Sequence, residues 1–477
     1  MQIPLINGKK TNIKAKFNDA LLENVIVNVD AVLGAEGYLT NHQGLKLVDD
    51  YDAEGSSRGG VYNERLGYGF RVIGNYLYTL EQDGKIKKRL GEIKGEGQVS
   101  MPYSFQTQAV VTKQGFVYLY DEENGLQQIV DENLGSVFDG TWIDGVYFFV
   151  DKDSPVTTDI LAENSIRALS FGSAEESPDP IRACDKWRQF AVVFGSSTIQ
   201  FYQNTGDLPF AFQPIDSYTI YAGIVGTHAK AKLPNDAGFI LLGSSSNEPV
   251  TFLYAVNGRA ESISTKTVDR IVEKYSEEEL ESTKLEYVKI DDKEFIHVHL
   301  PKHTLLYDIT ASSKLGLRQW SILKTGWEVQ HDFKGYWQAI NAIKMPALNK
   351  YTFGNRDNAK ITVVDEESCD QLGEQQEHII YSPIIRSPKP YSINKLQVQF
   401  LNGNNAINRT ESIFMSTTED GRTYSIENSL IVGKRGARWD QVIWRCLGMY
   451  RNWFGVKLRY VGKTNINISV LEINENA

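Results

Sequence analysis

The feature that most constrains this chain is a hairpin that recurs along it. A short aromatic strand enters a glycine turn and leaves as a second strand. Tyr76-Leu77-Tyr78 leads to Asp83-Gly84, Val117-Tyr118-Leu119-Tyr120 to Asn124-Gly125, and Phe252-Leu253-Tyr254 to Asn257-Gly258. Looser copies lie at Val146-Tyr147-Phe148, Ile199-Gln200-Phe201-Tyr202, Leu305-Leu306-Tyr307 and Tyr351-Thr352-Phe353. Alternating aromatic and β-branched residues suit a half-buried pleated surface. Asp-Gly and Asn-Gly supply the positive φ angles of a tight hairpin turn. One hairpin cannot bury its own apolar face, so the copies must stack on one another. The expectation is an all-β protein with a repeat scaffold, whose usual work is to present surfaces.

At 477 residues the chain is too long for one ordinary core. The hairpins fill residues 55–378, and a propeller blade takes about 40–50 residues. That predicts a propeller-like domain of six or seven hairpin blades, with the short step from 118 to 147 allowing two hairpins to share a blade. Pro383, Pro388 and Pro390 punctuate the chain next. Strands then recur at about 10–20-residue spacing, as at Lys395–Phe400, Val442–Arg445 and Val456–Tyr460, which predicts a β-sandwich or jelly roll over 379–477. Residues 1–54 do not fit the repeat. They read as an N-terminal arm packing on the C-terminal domain or a neighbour, with a short helix or irregular stretch over Ala15–Val27. Strand, turn and strand follow over 37–48, and Leu45-Lys46-Leu47-Val48 needs a partner. Ser276 with Glu279 three residues on is a capping box, a helix start rather than an acid–base site.

Catalytic and metal signals are weak. Cys184, Cys369 and Cys446 are odd in number and far apart, which fits reduced thiols and neither a disulfide framework nor zinc. His297, His299 and His303 are the best metal candidates, yet no further ligand motif accompanies them. Gly462-Lys463-Thr464 lacks the upstream glycine of a P-loop. Ser416–Tyr424 is similar to the Asp-box hairpin of sialidases, a turn device. No apolar run reaches the length of a membrane span, and the first residues lack the apolar core of a secretory signal. Net charge of −10 argues against a DNA-coating protein, which needs a basic face. The expectation is no catalytic site, no cofactor and no metal. Lys434, Arg435 and Arg438 form the most basic local cluster, and with Trp439, Trp444 and Trp453 they make a candidate partner interface. The competing reading puts these tryptophans in the sandwich core.

Several phrases carry a family resemblance. They are Ser57-Arg58-Gly59 with Tyr62-Asn63, Phe194–Ile199, Tyr275 with Glu278, His299–His303 running to Tyr307-Asp308, Leu323–Gly326, Gln375–His378 and Gly455–Arg459. In this order the chain resembles the packaged-DNA stabilisation proteins, or tail hubs, of short-tailed lambdoid bacteriophages. The resemblance implies a virion tail protein, made and assembled in the host bacterial cytoplasm. It implies a homohexameric ring below the head-to-tail adaptor that retains DNA, lets it pass at genome ejection without specific binding, and docks the tail needle and tailspikes. The alternatives are a propeller glycan hydrolase, which would need clustered carboxylates and an Arg set in one funnel, or a monomeric propeller binding module.

Overall fold

A computed structural model describes residues 2–3, 5, 21–30, 37–160, 162–166, 170–172, 179–245, 248–329, 333–387, 389–400, 411–432 and 441–476. Antiparallel sheets follow one another in chain order. Sheet I is Ser57–Asn63, Tyr68–Ile73, Tyr76–Leu80 and Ile86–Glu92, and sheet II is Val99–Ser100, Gln108–Thr112, Val117–Asp121 and Gly125–Gln128. Sheet III is Asp139–Ile143, Val146–Val150 and Pro155–Thr157; sheet IV runs from Ile181–Trp187 to Phe212–Pro214, and sheet V from Lys230–Lys232 to Arg259–Ser262. Sheet VI opens with Lys284–Ile290, Lys293–His299, Thr304–Asp308 and Gln319–Leu323. Sheet VII is Ala339–Met345, Lys350–Asn355 and Ile361–Asp365, completed by Gly44–Asp49 from the N-terminal arm. The hairpins at 118 and 147 thus belong to separate sheets, II and III.

The first strands of the sheets close a ring. Ser57–Asn63 touches Val99–Ser100, which touches Asp139–Ile143, which touches Ile181–Trp187. Lys230–Lys232 touches Lys284–Ile290, which touches Ala339–Met345, and that strand returns to Ser57–Asn63. Sheets IV and V share one apolar core, with Phe194 and Phe201 packed among Phe239, Leu241 and Leu253. This is a propeller, with the first strands around its axis and the aromatic faces buried between neighbouring sheets. The glycine turns lie between third and fourth strands as the hairpin pattern requires: Gly84, Gly125 and Gly258 have φ of +87°, +72° and +77°.

The arm divides between the two halves. Val25–Asn28 and Tyr38–Asn41 pair with each other, and Tyr38–Asn41 also pairs with Asn467–Asn476 of the sandwich. Leu45-Lys46-Leu47-Val48 finds its partner in the propeller, where Val364 pairs with Leu45 and Thr362 with Leu47. Residues 22–23 and 25–28 are strands, where a helix was one expectation; residues 15–20 lie outside the described residues.

The sandwich packs two sheets around Ile393, Leu396, Val398, Ile413, Met415, Phe454, Leu458 and Leu471. One sheet has the order Val25–Asn28, Tyr38–Asn41, Asn467–Asn476, Tyr391–Phe400, Gln441–Tyr450. The other has Leu22–Glu23, Gln376–Tyr381, Trp453–Gly462, Glu411–Thr418, Asn428–Val432. It does not stop at the domain edge. Leu22–Glu23 pairs in parallel with Gln319–Leu323 of sheet VI, so propeller and sandwich share one continuous ten-stranded sheet.

Candidate interface on the sandwich

The strand Trp453–Gly462 decides what the sandwich shows to its surroundings. Side chains alternate along a strand, so Phe454, Val456, Leu458 and Tyr460 are buried in the core. The intervening Trp453, Lys457 and Arg459 face outward, half-buried. Each outward position joins a cation to a ring. The Arg386 guanidinium lies 5.4 Å from the Trp453 ring, the Lys457 ammonium 5.9 Å from Tyr424, and the Arg459 guanidinium 4.3 Å from Phe414. Tyr381 stands 6.1 Å from Tyr424 and extends the aromatic row.

Arg459 is held in place by two carboxylates. Its Nε donates to both Glu427 oxygens at 2.9 and 3.1 Å, and a terminal nitrogen reaches Glu377 at 3.4 Å. The Arg459 hydrogen bond holds the Glu427 carboxyl below its usual range, and Glu427 in turn raises Arg459. Burial pushes Glu377 up, against the pull of Arg459. A fixed guanidinium on an aromatic face is the kind of group that carries binding energy in protein interfaces, where Trp, Tyr and Arg predominate. Beside this row Ile426 is 90% exposed, an apolar side chain standing in water.

The sequence-predicted residues separate. Trp444 is buried in the sandwich core, its Nε1 donating to the Asn428 carbonyl at 3.1 Å. Trp453 is on the outward face. Lys434, Arg435, Arg438 and Trp439 lie outside the described residues. Arg386, Tyr381 and Tyr424 were not singled out from sequence. The available signal was the alternation Trp453, Lys457, Arg459 on one strand face, but their ring and cation partners come from other strands and loops. The hairpin near Asp420 is a turn device: its carboxylate accepts the Arg422 and Thr423 backbone N–H groups, each at 2.8 Å.

The histidines lie elsewhere, with His297 and His299 buried and His303 half-buried. His297 and His299 are in sheet VI with ring centroids 6.2 Å apart, and the His303 Nδ1 meets the Tyr275 hydroxyl. Among the described residues no group of three His, Cys, Asp or Glu side chains has metal-binding geometry. The propeller axis is instead filled by a polar cluster. Glu286 accepts from the Asn341 N–H at 3.0 Å and His299 Nε2 at 3.2 Å, and lies 3.3 Å from the Lys284 ammonium. Arg71 donates to the Asn341 carbonyl at 3.0 Å, and Lys230 pairs with Asp139 at 2.9 Å across the ring. Burial alone would raise the Glu286 carboxyl, but Lys284 and His299 hold it well below the carboxylate range. These charges answer one another inside the fold.

Comparison with known proteins gives the same two-part division. Residues 1–369 match the family model described as Bacteriophage P22 Gp10, beta-propeller, and residues 377–476 match Bacteriophage P22 Gp10, beta-sandwich. The chain is 29% identical over a 492-residue alignment to the tail hub protein gp10 of Salmonella phage P22, covering 99% of this chain and 98% of that protein. Solved structures of U3-55K and of the N-terminal domain of Nup159 each align with a TM-score of 0.42 at 10% identity. They cover 68% and 72% of this chain and 98% and 99% of their own. The chain belongs to the family of phage P22 Gp10, a structural phage-tail family, not an enzymatic one, built of a β-propeller followed by a β-sandwich.

Proposed function

We propose that this protein is the tail-hub subunit of a short-tailed phage, forming a homohexameric ring below the head-to-tail adaptor that retains packaged DNA and docks the tail needle and tailspikes. The observation that carries this reading is the similarity to the P22 tail hub protein along essentially the whole of both chains. The outward row of Trp453, Lys457, Arg459 and Tyr424 is the proposed partner contact. Stable contacts between subunits bury about 1,200–2,000 Å² or more, and such a row suits the centre of one.

DNA passes through this ring without specific binding. Each phosphate neutralised by Lys or Arg releases counterions and adds affinity that transit must overcome. A neutral to acidic lumen avoids this, and the −10 balance of the chain supplies it.

The test is assembly. Purified full-length protein is added to DNA-filled heads carrying the adaptor ring, and electron microscopy and DNA leakage are read together. The reading expects a sixfold density under the adaptor and retained DNA. A subunit that stays monomeric in the presence of adaptor-bearing heads, with leakage unchanged, overturns it.

A further inference from the structure

We propose that the junction between propeller and sandwich is an acid-labile hinge, opened when a buried row of histidines takes up protons. The inference rests on the junction's own geometry and does not depend on the hub reading.

The junction is stitched at Asn24, whose backbone has a left-handed φ of 52°. Its N–H donates to the Ile322 carbonyl of sheet VI, and its side-chain oxygen accepts from the Lys324 N–H, both at 2.8 Å. Its side-chain amide donates to the Glu377 carbonyl of the sandwich at 2.8 Å. Its carbonyl accepts two donors at 2.8 Å, the backbone N–H of His42 from the arm and Nδ1 of His378 from the sandwich. From His42 the row continues into the propeller. His42 lies 6.0 Å from His297, which lies 6.2 Å from His299, and Trp337 packs edge-on against both His42 and His297.

Each ring has its one proton committed or enclosed. His42 Nδ1 meets the Gln43 carbonyl at 3.0 Å, His378 Nδ1 the Asn24 carbonyl, and His299 Nε2 the Glu286 carboxylate. His42 Nε2, His378 Nε2, His299 Nδ1 and both nitrogens of His297 are buried with no hydrogen-bond partner. A second proton would put a charged N–H against hydrocarbon, which is costly without an acceptor. The groups facing the row offer little compensation. His299 meets Glu286, Arg356 and Lys284; His297 meets His42, His299 and Glu286; His42 meets His378; and His378 packs against the Tyr460 ring. Only Glu286 among them is an anion, and Lys284 already shares it.

Opening the hinge exposes the rings to water and removes that obstacle. Burial pushes His42 and His378 down to about 4, against about 6.5 for a solvated ring. The closed state is therefore fully favoured above about pH 6.5 and loses ground as pH falls toward 4. By this linkage the opening constant rises roughly 20-fold for each of these two rings between pH 7 and pH 5, about 400-fold together.

Hydrogen exchange of the full-length protein tests this, with rates corrected for the intrinsic pH dependence of amide exchange. Peptides covering 21–30, 37–45 and 376–381 report on the junction, and peptides covering 108–121 and 190–204 report on sheets II and IV. On going from pH 7 to pH 5 the junction opening constant is expected to rise about 400-fold while sheets II and IV keep their protection. His378→Asn places an amide donor where Nδ1 meets the Asn24 carbonyl and cannot titrate, so it should reduce the rise about 20-fold. Junction protection that does not change with pH, or loss of protection in sheets II and IV together with the junction, overturns the proposal. So does a folded His378→Asn protein whose profile overlays that of the unsubstituted protein.

Discussion

Replacing Glu286 with Gln removes the buried anion at the propeller axis while keeping its shape. Glu286 faces the Lys284 ammonium at 3.3 Å and accepts two backbone N–H groups from sheet VII, Asn341 at 3.0 Å and Ala342 at 3.4 Å. The amide oxygen can still accept from Asn341, so what is lost is mainly charge. Lys284 then keeps only neutral partners, Gln98 and Asn341, and buried Arg71 loses its nearby counter-charge. Leaving a buried cation unpaired typically costs about 3–5 kcal/mol. A neutral pair of similar volume avoids most of that cost, so Lys284→Met with Glu286→Gln should be less destabilising than Glu286→Gln alone. Denaturant-dependent hydrogen exchange at 57–63, 284–290 and 339–345 reads the loss where the three first strands meet. A Glu286→Gln cost below about 1 kcal/mol, or a double variant worse than the single one, refutes the view that the axial charges are paired.

Other expectations follow from burial and position. Trp444→Ala empties a core site and should cost about 3–5 kcal/mol in the isolated subunit, whereas Trp453→Ala should leave the melting temperature nearly unchanged and weaken binding to adaptor-bearing heads. Leu45→Ala removes a fully buried side chain from the strand completing sheet VII; it should cost about 2–5 kcal/mol, with sheet VII losing exchange protection first. Chelation is expected to leave the melting curve unchanged, and a shift would reopen the histidine cluster as a metal centre. DNA binding by the purified subunit should be weak at physiological salt, checked by titrating labelled duplex at two ionic strengths; tight, salt-sensitive binding would count against a neutral or acidic lumen.

The parts legible in the sequence were those governed by neighbours in the chain. The turns at Gly84, Gly125 and Gly258 join strands a few residues apart, so local φ requirements and alternation revealed them. The cap at Ser276 is equally local: its hydroxyl accepts from Glu279 N–H, and the Glu279 side chain returns to Ser276 N–H. Closure of the ring was not legible. Leu45 pairs with Val364 across more than three hundred residues, and no periodicity encodes that separation. The first strands around the axis were also hard to read, because they carry Lys284, Glu286, Asp139 and Lys230 where a strand pattern leads one to expect apolar residues. On the sandwich, the tryptophans were visible as a group, but alternation sends Trp444 inward and Trp453 outward, and Arg386 and Tyr424 complete the outward row only through tertiary contact.

The ten-stranded sheet also defines a path for mechanical load. A pull applied across the strands, from Asn428–Val432 toward Lys284–Ile290, stretches the ladders in series, so the shortest ladder yields first. Most neighbouring strands in this path share five to seven paired positions. At the joint, Leu22–Glu23 shares two positions in parallel with Gln319–Leu323 and one, Glu23 with Ile379, with Gln376–Tyr381. Parallel pairing is also slightly weaker per residue. With only these three paired positions and the Asn24 hydrogen bonds to hold it, this joint is where such a load concentrates.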